Sequence, residues 1–145
     1  MEKQNYKNHV RYYPPHHFVF YPVLILLLGF SIYYISKYEE QALVWTFISL
    51  AFFMIGYLAF MLRQHYALNN QNRIVRLELR FRYFVLTGHR LETFEDVLSE
   101  GQLFALRFAS DEELPTLIQR AIKENITPDE IKKSIVSWQP DHMRV

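Results

Sequence analysis

Two stretches without a charged residue constrain what this chain can fold into: Phe18 to Ser36, FVFYPVLILLLGFSIYYIS, and Gln41 to Leu62, QALVWTFISLAFFMIGYLAFML. In a helix rising about 1.5 Å per residue, each is long enough for the roughly 30 Å hydrocarbon core of a bilayer. Two such runs separated only by KYEE leave a chain of 145 residues no soluble partner large enough to bury both. The pattern therefore predicts a transmembrane helical hairpin with spans at about 18–36 and 42–62. The first run does not read as a removable signal peptide. Its apolar core is too long, and SIYYISKYEE has no small-x-small cleavage site.

Charge sets the expected orientation. Between the runs stands one basic residue, Lys37, beside Glu39 and Glu40; Lys3, Lys7 and Arg11 precede them, and Arg63, Arg73, Arg76, Arg80 and Arg82 follow. Basic residues near membrane ends stay on the cytoplasmic side, which predicts that both termini are cytoplasmic. Aromatics fall where an interfacial belt would lie: Tyr12, Tyr13, Tyr21, Tyr57 and Tyr66 at the inner level, Tyr33, Tyr34, Tyr38 and Trp45 at the outer. Pro14 and Pro15 suit a helix start, while Pro22 should kink the first span or mark its true beginning. Ser49, Gly56 and nearby Ala59 offer a close-packing seam on the second span.

Residues 63–90 hold six arginines and one glutamate, whereas 92–113 hold seven acids against Arg107. Within the basic segment Val75, Leu77, Leu79, Phe81 and Tyr83 alternate at strand spacing. Ile74, Leu77, Phe81, Phe84 and Val85 also share one helical face, with Arg73, Arg76 and Arg80 on its flank. Without Pro or Gly before Gly88, a helix ended by a glycine C-cap is the better reading, with a local break at Asn69–Asn72. Such a helix can meet anionic headgroups or dock on the acidic segment of its own chain. Beyond it, Ser99 with Gln102, Ser110 with Glu113 and Thr127 with Glu130 have the spacing of capping boxes. Leu114, Leu117, Ile118, Ala121 and Ile122 form one apolar stripe and Ile131, Ile135 and Trp138 another, joined by a turn at Asn125 and Ile126.

The expected fold is an all-α membrane protein: a cytoplasmic N-terminal tail (1–17), a transmembrane hairpin (18–62), a basic amphipathic juxtamembrane segment (63–90) and a small helical cytoplasmic domain (91–145). The absence of cysteine excludes disulfides, iron–sulfur clusters and thiol nucleophiles. No phosphate loop, zinc-protease or serine-hydrolase motif is present, so the expectation is no enzyme, no cofactor and no small-molecule substrate. In YYPPHHFVFYP, His16 and His17 enter the first span at the depth where His65 leaves the second, a geometry that permits a shared haem or metal site. Adjacent histidines rarely face one ion from a helix, and no carboxylate is near to orient a ring. His9, His89 and His142 stand alone in polar context. Ala121, Asn125, Ile126 and Ile131 partly match a helix-turn-helix, but Asp129 and Glu130 would face phosphates and Ser134 departs from the pattern, so no nucleic-acid partner is expected.

The segments QNYKNHVRYYPPHHFVFYP, NRIVRLELRFRYFVLTG and ITPDEIKKSIVSWQPDHMRV resemble an uncharacterised bacterial family of small two-span membrane proteins, a domain of unknown function, over essentially the whole chain. The resemblance implies a bacterial cytoplasmic (inner) membrane and carries over no catalytic or binding residue. The function expected is that of an accessory, assembly or scaffold subunit contacting membrane lipids and another membrane protein or itself. Two alternatives stand beside it: haem or metal binding through His16, His17 and His65, and anionic-lipid sensing through Arg63, Arg73, Arg76, Arg80 and Arg82.

Overall fold

The computed structural model describes residues 4–10 and 12–141. Among these every regular element is helical, and the chain divides into two compact units: residues 12–69, and residues 4–10 with 70–141. Lys3, Arg11 and His142, used above, lie outside the described residues.

The first unit is the hairpin. A π turn, Pro15–Phe20, leads into α1, Tyr21–Lys37; a single 3-10 turn, Glu39–Gln41, reverses the chain into α2, Ala42–Met61; and a second π turn, Leu62–Ala67, follows. Pro22 thus marks the beginning of the regular helix. Its missing N–H breaks the α ladder, and the preceding residues widen by one, so that the Tyr21 N–H reaches the His16 carbonyl. The helices meet along one seam of small residues. Ser31 and Ser49 are buried with their hydroxyl oxygens 2.8 Å apart, and Ser31 donates to the Leu28 carbonyl at 2.8 Å. Two turns further, a Cβ on Gly56 would stand 3.0 Å from Leu24 Cδ2. Everything off this seam is open: Phe18, Ile25, Leu43 and Phe47 are all exposed, and the most apolar windows of the two long helices are 6% and 0% buried.

The second unit is assembled from α3, Leu68–Thr87, through α4, Glu100–Leu106, α5, Leu114–Glu124, and α6, Pro128–Ser134. Residues 74–84 are helical, which resolves the two competing periodicities. The helix stops where Gly88 takes φ +71° and its N–H reaches the Phe84 carbonyl at 2.8 Å. Asn69–Asn72 is no break; the irregularity lies just before it, in the second π turn, and the Asn69 amide donates to the His65 carbonyl. Ser99 and Thr127 each form a complete capping box, with Gln102 and Glu130. Leu79, Leu91, Leu103, Leu106, Phe108, Leu114, Ile118 and Ile131 are buried together.

The packing settles one point the sequence left open and corrects others. The apolar stripe Ile74, Leu77, Phe81, Phe84 and Val85 is the outer face of α3; the core receives Val75, Leu79 and Tyr83 from the strand-period set. Ser110 and Glu113 make no box. Glu113 instead accepts from the backbone N–H groups of Val136 and Ser137, at 3.2 and 2.9 Å, and so holds the chain leaving α6. That chain is extended beyond Ser134, so Ile135 and Trp138 are buried without forming a helical stripe; Trp138 makes an isolated bridge with Ala109. α6 packs chiefly on α4, with Asn125 at φ 47° turning the chain after α5.

The N-terminal segment is a structural part of this unit. Gln4 is buried and accepts from the Asp141 N–H at 2.7 Å, and the Tyr6 hydroxyl donates to Asp129 Oδ1 at 2.6 Å. His9, which looked solitary, has its ring centroid 5.7 Å from both Phe108 and Trp138.

Candidate functional site

The most distinctive feature of the hairpin is at its open end, where the two π turns line one cleft of about 420 Å³. His16, His17 and Phe20 contribute from the first, Leu62, Arg63 and Ala67 from the second, and Ala59 gives it room. A π turn carries one extra residue per turn and alters where side chains point, a distortion found often at functional sites. His16 stacks on Phe20 at 5.5 Å and meets Tyr21 edge-on at 4.6 Å, while its Nε2 is buried with no hydrogen-bond partner. The His17 ring instead turns back, Nδ1 3.0 Å from the Tyr13 carbonyl oxygen. Arg63 has no ion-pair partner among the described residues. The walls are therefore apolar, with one guanidinium and one unsatisfied imidazole nitrogen.

His65 is exposed and does not line the cleft, so the three histidines considered from the sequence are not brought together. No group of three metal-ligating His, Asp or Glu side chains forms among the described residues. The aromatics divide between the two ends of the hairpin. Tyr12, Tyr13, Tyr21 and Tyr66 belong to the π-turn end, where Tyr12 meets His17 edge-on at 5.4 Å. At the closed end Tyr34 lies 4.7 Å from Trp45 and 5.4 Å from Tyr38, and Lys37 Nζ sits 5.5 to 5.9 Å from the rings of Tyr33, Tyr34 and Tyr38.

In the helical unit the arginines of α3 are unequal. Arg76 pairs with Glu100 at 3.2 Å, Arg80 with Glu95 through two hydrogen bonds, and Arg82 with Asp111 at 2.6 Å while also donating to the carbonyls of Arg107 and Ala109. Glu95 raises the Arg80 pKa still further above neutrality. Docking on the acidic segment thus engages three of the five arginines singled out from the sequence. Arg63 and Arg73 remain open.

A family described as a family of unknown function, DUF6526, matches residues 1–145, the full length of the chain. This is a DUF6526 protein. No curated protein and no solved structure matches it.

Several residues of this DUF6526 chain escaped sequence reasoning. Ser31 sits in an otherwise apolar run, and only the steps of four and three that place Leu24, Leu28 and Ser31 on one helical face hint at its role. Tyr6, Asp129 and Lys133 form a polar clasp between segments far apart in the chain. Lys133, then the Tyr6 hydroxyl, hold the Asp129 carboxyl below the usual range, and the bond to Asp129 raises the Tyr6 phenol. Nothing in a single sequence pairs residue 6 with residue 129. Chemically, the cleft can hold an apolar chain with an anionic end against Arg63.

Proposed function

We propose that this protein is a non-catalytic, membrane-embedded helical hairpin that serves as an accessory, assembly or scaffold subunit in a bacterial cytoplasmic membrane, with both termini on the cytoplasmic side. The observation that carries the reading is the exposure of the hairpin's apolar side chains on every face but one seam. Leaving half of a large apolar side chain in water costs about 1 kcal/mol. Some twenty such residues give a sum on the order of 20 kcal/mol, above the roughly 5–15 kcal/mol that holds a domain together. Lipid removes that cost. The Ser31–Ser49 contact and the Gly56–Leu24 approach are what helix association inside a bilayer requires, since apolar burial no longer drives it. The eight basic residues on the terminal sides against Lys37 support the orientation.

The test is retention in alkali-washed membranes followed by purification in mild detergent from the native host. Retention with one stoichiometric membrane partner is the expected outcome. A protein released by alkali would overturn the membrane assignment, and a monomer without partners at native abundance would overturn the scaffold role.

The cleft favours a second, compatible reading, in which an anionic amphiphile seats its headgroup on Arg63 in the cleft that His16 also lines. Native mass spectrometry of protein reconstituted with anionic lipid should show retained lipid that falls severalfold in Arg63→Ala. Equal retention by the variant rejects the site. Because His65 stands apart, haem or metal ligation by the histidine trio is not part of the proposal.

A further inference from the structure

We propose that the open face of α3 is the seam of a parallel homodimer with a second copy of this chain. Ile74, Leu77, Phe81 and Phe84 follow one another at steps of three, four and three residues, the a/d spacing of a coiled coil, and Asn70 precedes Leu77 by one heptad. All four apolar residues are more than half exposed, as is Val85 beside them. The opposite face is already occupied: Val75, Leu79 and Tyr83 enter the core, while Arg76 and Arg82 hold Glu100 and Asp111. A row of knobs is thus left open on a helix whose inner face is satisfied.

The flanking charges name the occupant. Arg73 and Glu78 are both exposed and neither has an ion-pair partner among the described residues. They stand five residues apart, the g-to-e′ step of a parallel two-stranded coil, so two-fold symmetry pairs each Arg73 with the other copy's Glu78, twice. An antiparallel pair would set g against g′ and bring arginines together. Asn70, at the d position one heptad before Leu77, adds an amide able to pair with itself across the seam. A lipid surface fits less well, because Glu78 borders the face and Arg76 and Arg80 are engaged by their own acids. The parallel orientation rests on the membrane reading: copies inserted the same way begin α3 from the same membrane face, at raised effective concentration.

The chain contains no cysteine, so single-cysteine variants of the full-length protein can be oxidised in membranes without background. Leu77→Cys and Phe84→Cys should give disulfide-linked dimers on the order of tenfold above Asn72→Cys and Leu86→Cys, since only seam positions bring two Cβ atoms within bonding reach. In the Phe84→Cys background, Glu78→Arg should lower cross-linking about two- to fivefold, and adding Arg73→Glu should restore it. Equal cross-linking at all four positions, or none, overturns the dimer. So does Glu78→Arg leaving cross-linking unchanged while raising anionic-lipid binding, the result expected of a lipid-facing surface. Alkali retention is scored on the same membranes, so a failure of insertion is told apart from a failure of pairing.

Discussion

The hairpin and the helical unit are built inside out relative to one another. In the hairpin the hydroxyls of Ser31 and Ser49 are buried and Phe18, Ile25 and Leu43 face outward; in the helical unit Leu106, Phe108 and Ile118 are buried and the charges lie outside. A serine hydroxyl contact and the close Gly56–Leu24 approach join the hairpin's helices while apolar burial holds the other unit, the contrast that the proposed placement of the hairpin in lipid calls for. The same substitution should therefore have opposite consequences in the two places.

The largest contrast is aromatic truncation. Phe108→Ala in the helical unit should cost about 3–5 kcal/mol, read as a fall in unfolding temperature or onset of proteolysis in detergent-solubilised protein. Phe47→Ala, on the open side of α2, should leave the same readouts within about 0.5 kcal/mol. Comparable losses at both sites would mean that the hairpin's outer face is covered by protein. Next comes the reverse experiment, a charge placed outside. Ile25→Arg should oppose insertion by about 2.5–3.5 kcal/mol and appear as a larger alkali-extractable fraction, whereas Val136→Lys, also at an exposed position, should be silent.

Seam and cap substitutions are smaller. Gly56→Leu should cost about 1–3 kcal/mol through overpacking against Leu24, while Ser49→Ala should cost roughly 0.6 kcal/mol, both measured as helix association in lipid. Thr127→Ala should cost about 1 kcal/mol in the helical unit.

The gentlest probe is acid. The Thr127 N–H and hydroxyl hold the Glu130 carboxyl below its ordinary range, and Lys133 with Tyr6 does the same for Asp129. A depressed carboxyl contributes stability above its unfolded pKa, and that contribution is lost as pH falls through the folded value. The helical unit should accordingly loosen toward acid pH, seen as earlier proteolysis near α6, with a shallower dependence in Glu130→Gln. The two long helices of the hairpin, α1 and α2, whose ionisable side chains are Lys37 and tyrosines alone, should not respond.

Legibility in the sequence follows the range of the interactions. The two apolar helices, the caps at Ser99 and Thr127 and the stop at Gly88 depend on neighbours within a few positions, and all were readable. For α3, periodicity identified the helix but left open which apolar set is buried, because two sets compete and only tertiary packing selects Val75, Leu79 and Tyr83. The roles of Glu113 and His9 depend on partners far along the chain and left no local trace. At the cleft, the residue types of YYPPHH were conspicuous, but the paired π turns that gather His16, His17 and Arg63 are a backbone property with no simple sequence sign.

One consequence concerns the order in which the molecule is made. Gln4, Tyr6 and His9 reach Asp141, Asp129 and Trp138, so the helical unit is closed by segments that lie far apart in the chain. Domains ordinarily fold as they emerge, N-terminal first. Here residues 4–10 are made well before Asp129 and Asp141, with the whole hairpin and α3 to α5 translated in between. Closure of the unit is therefore a late event, and a chain interrupted before Trp138 leaves His9 and Phe108 without the indole that both of them face.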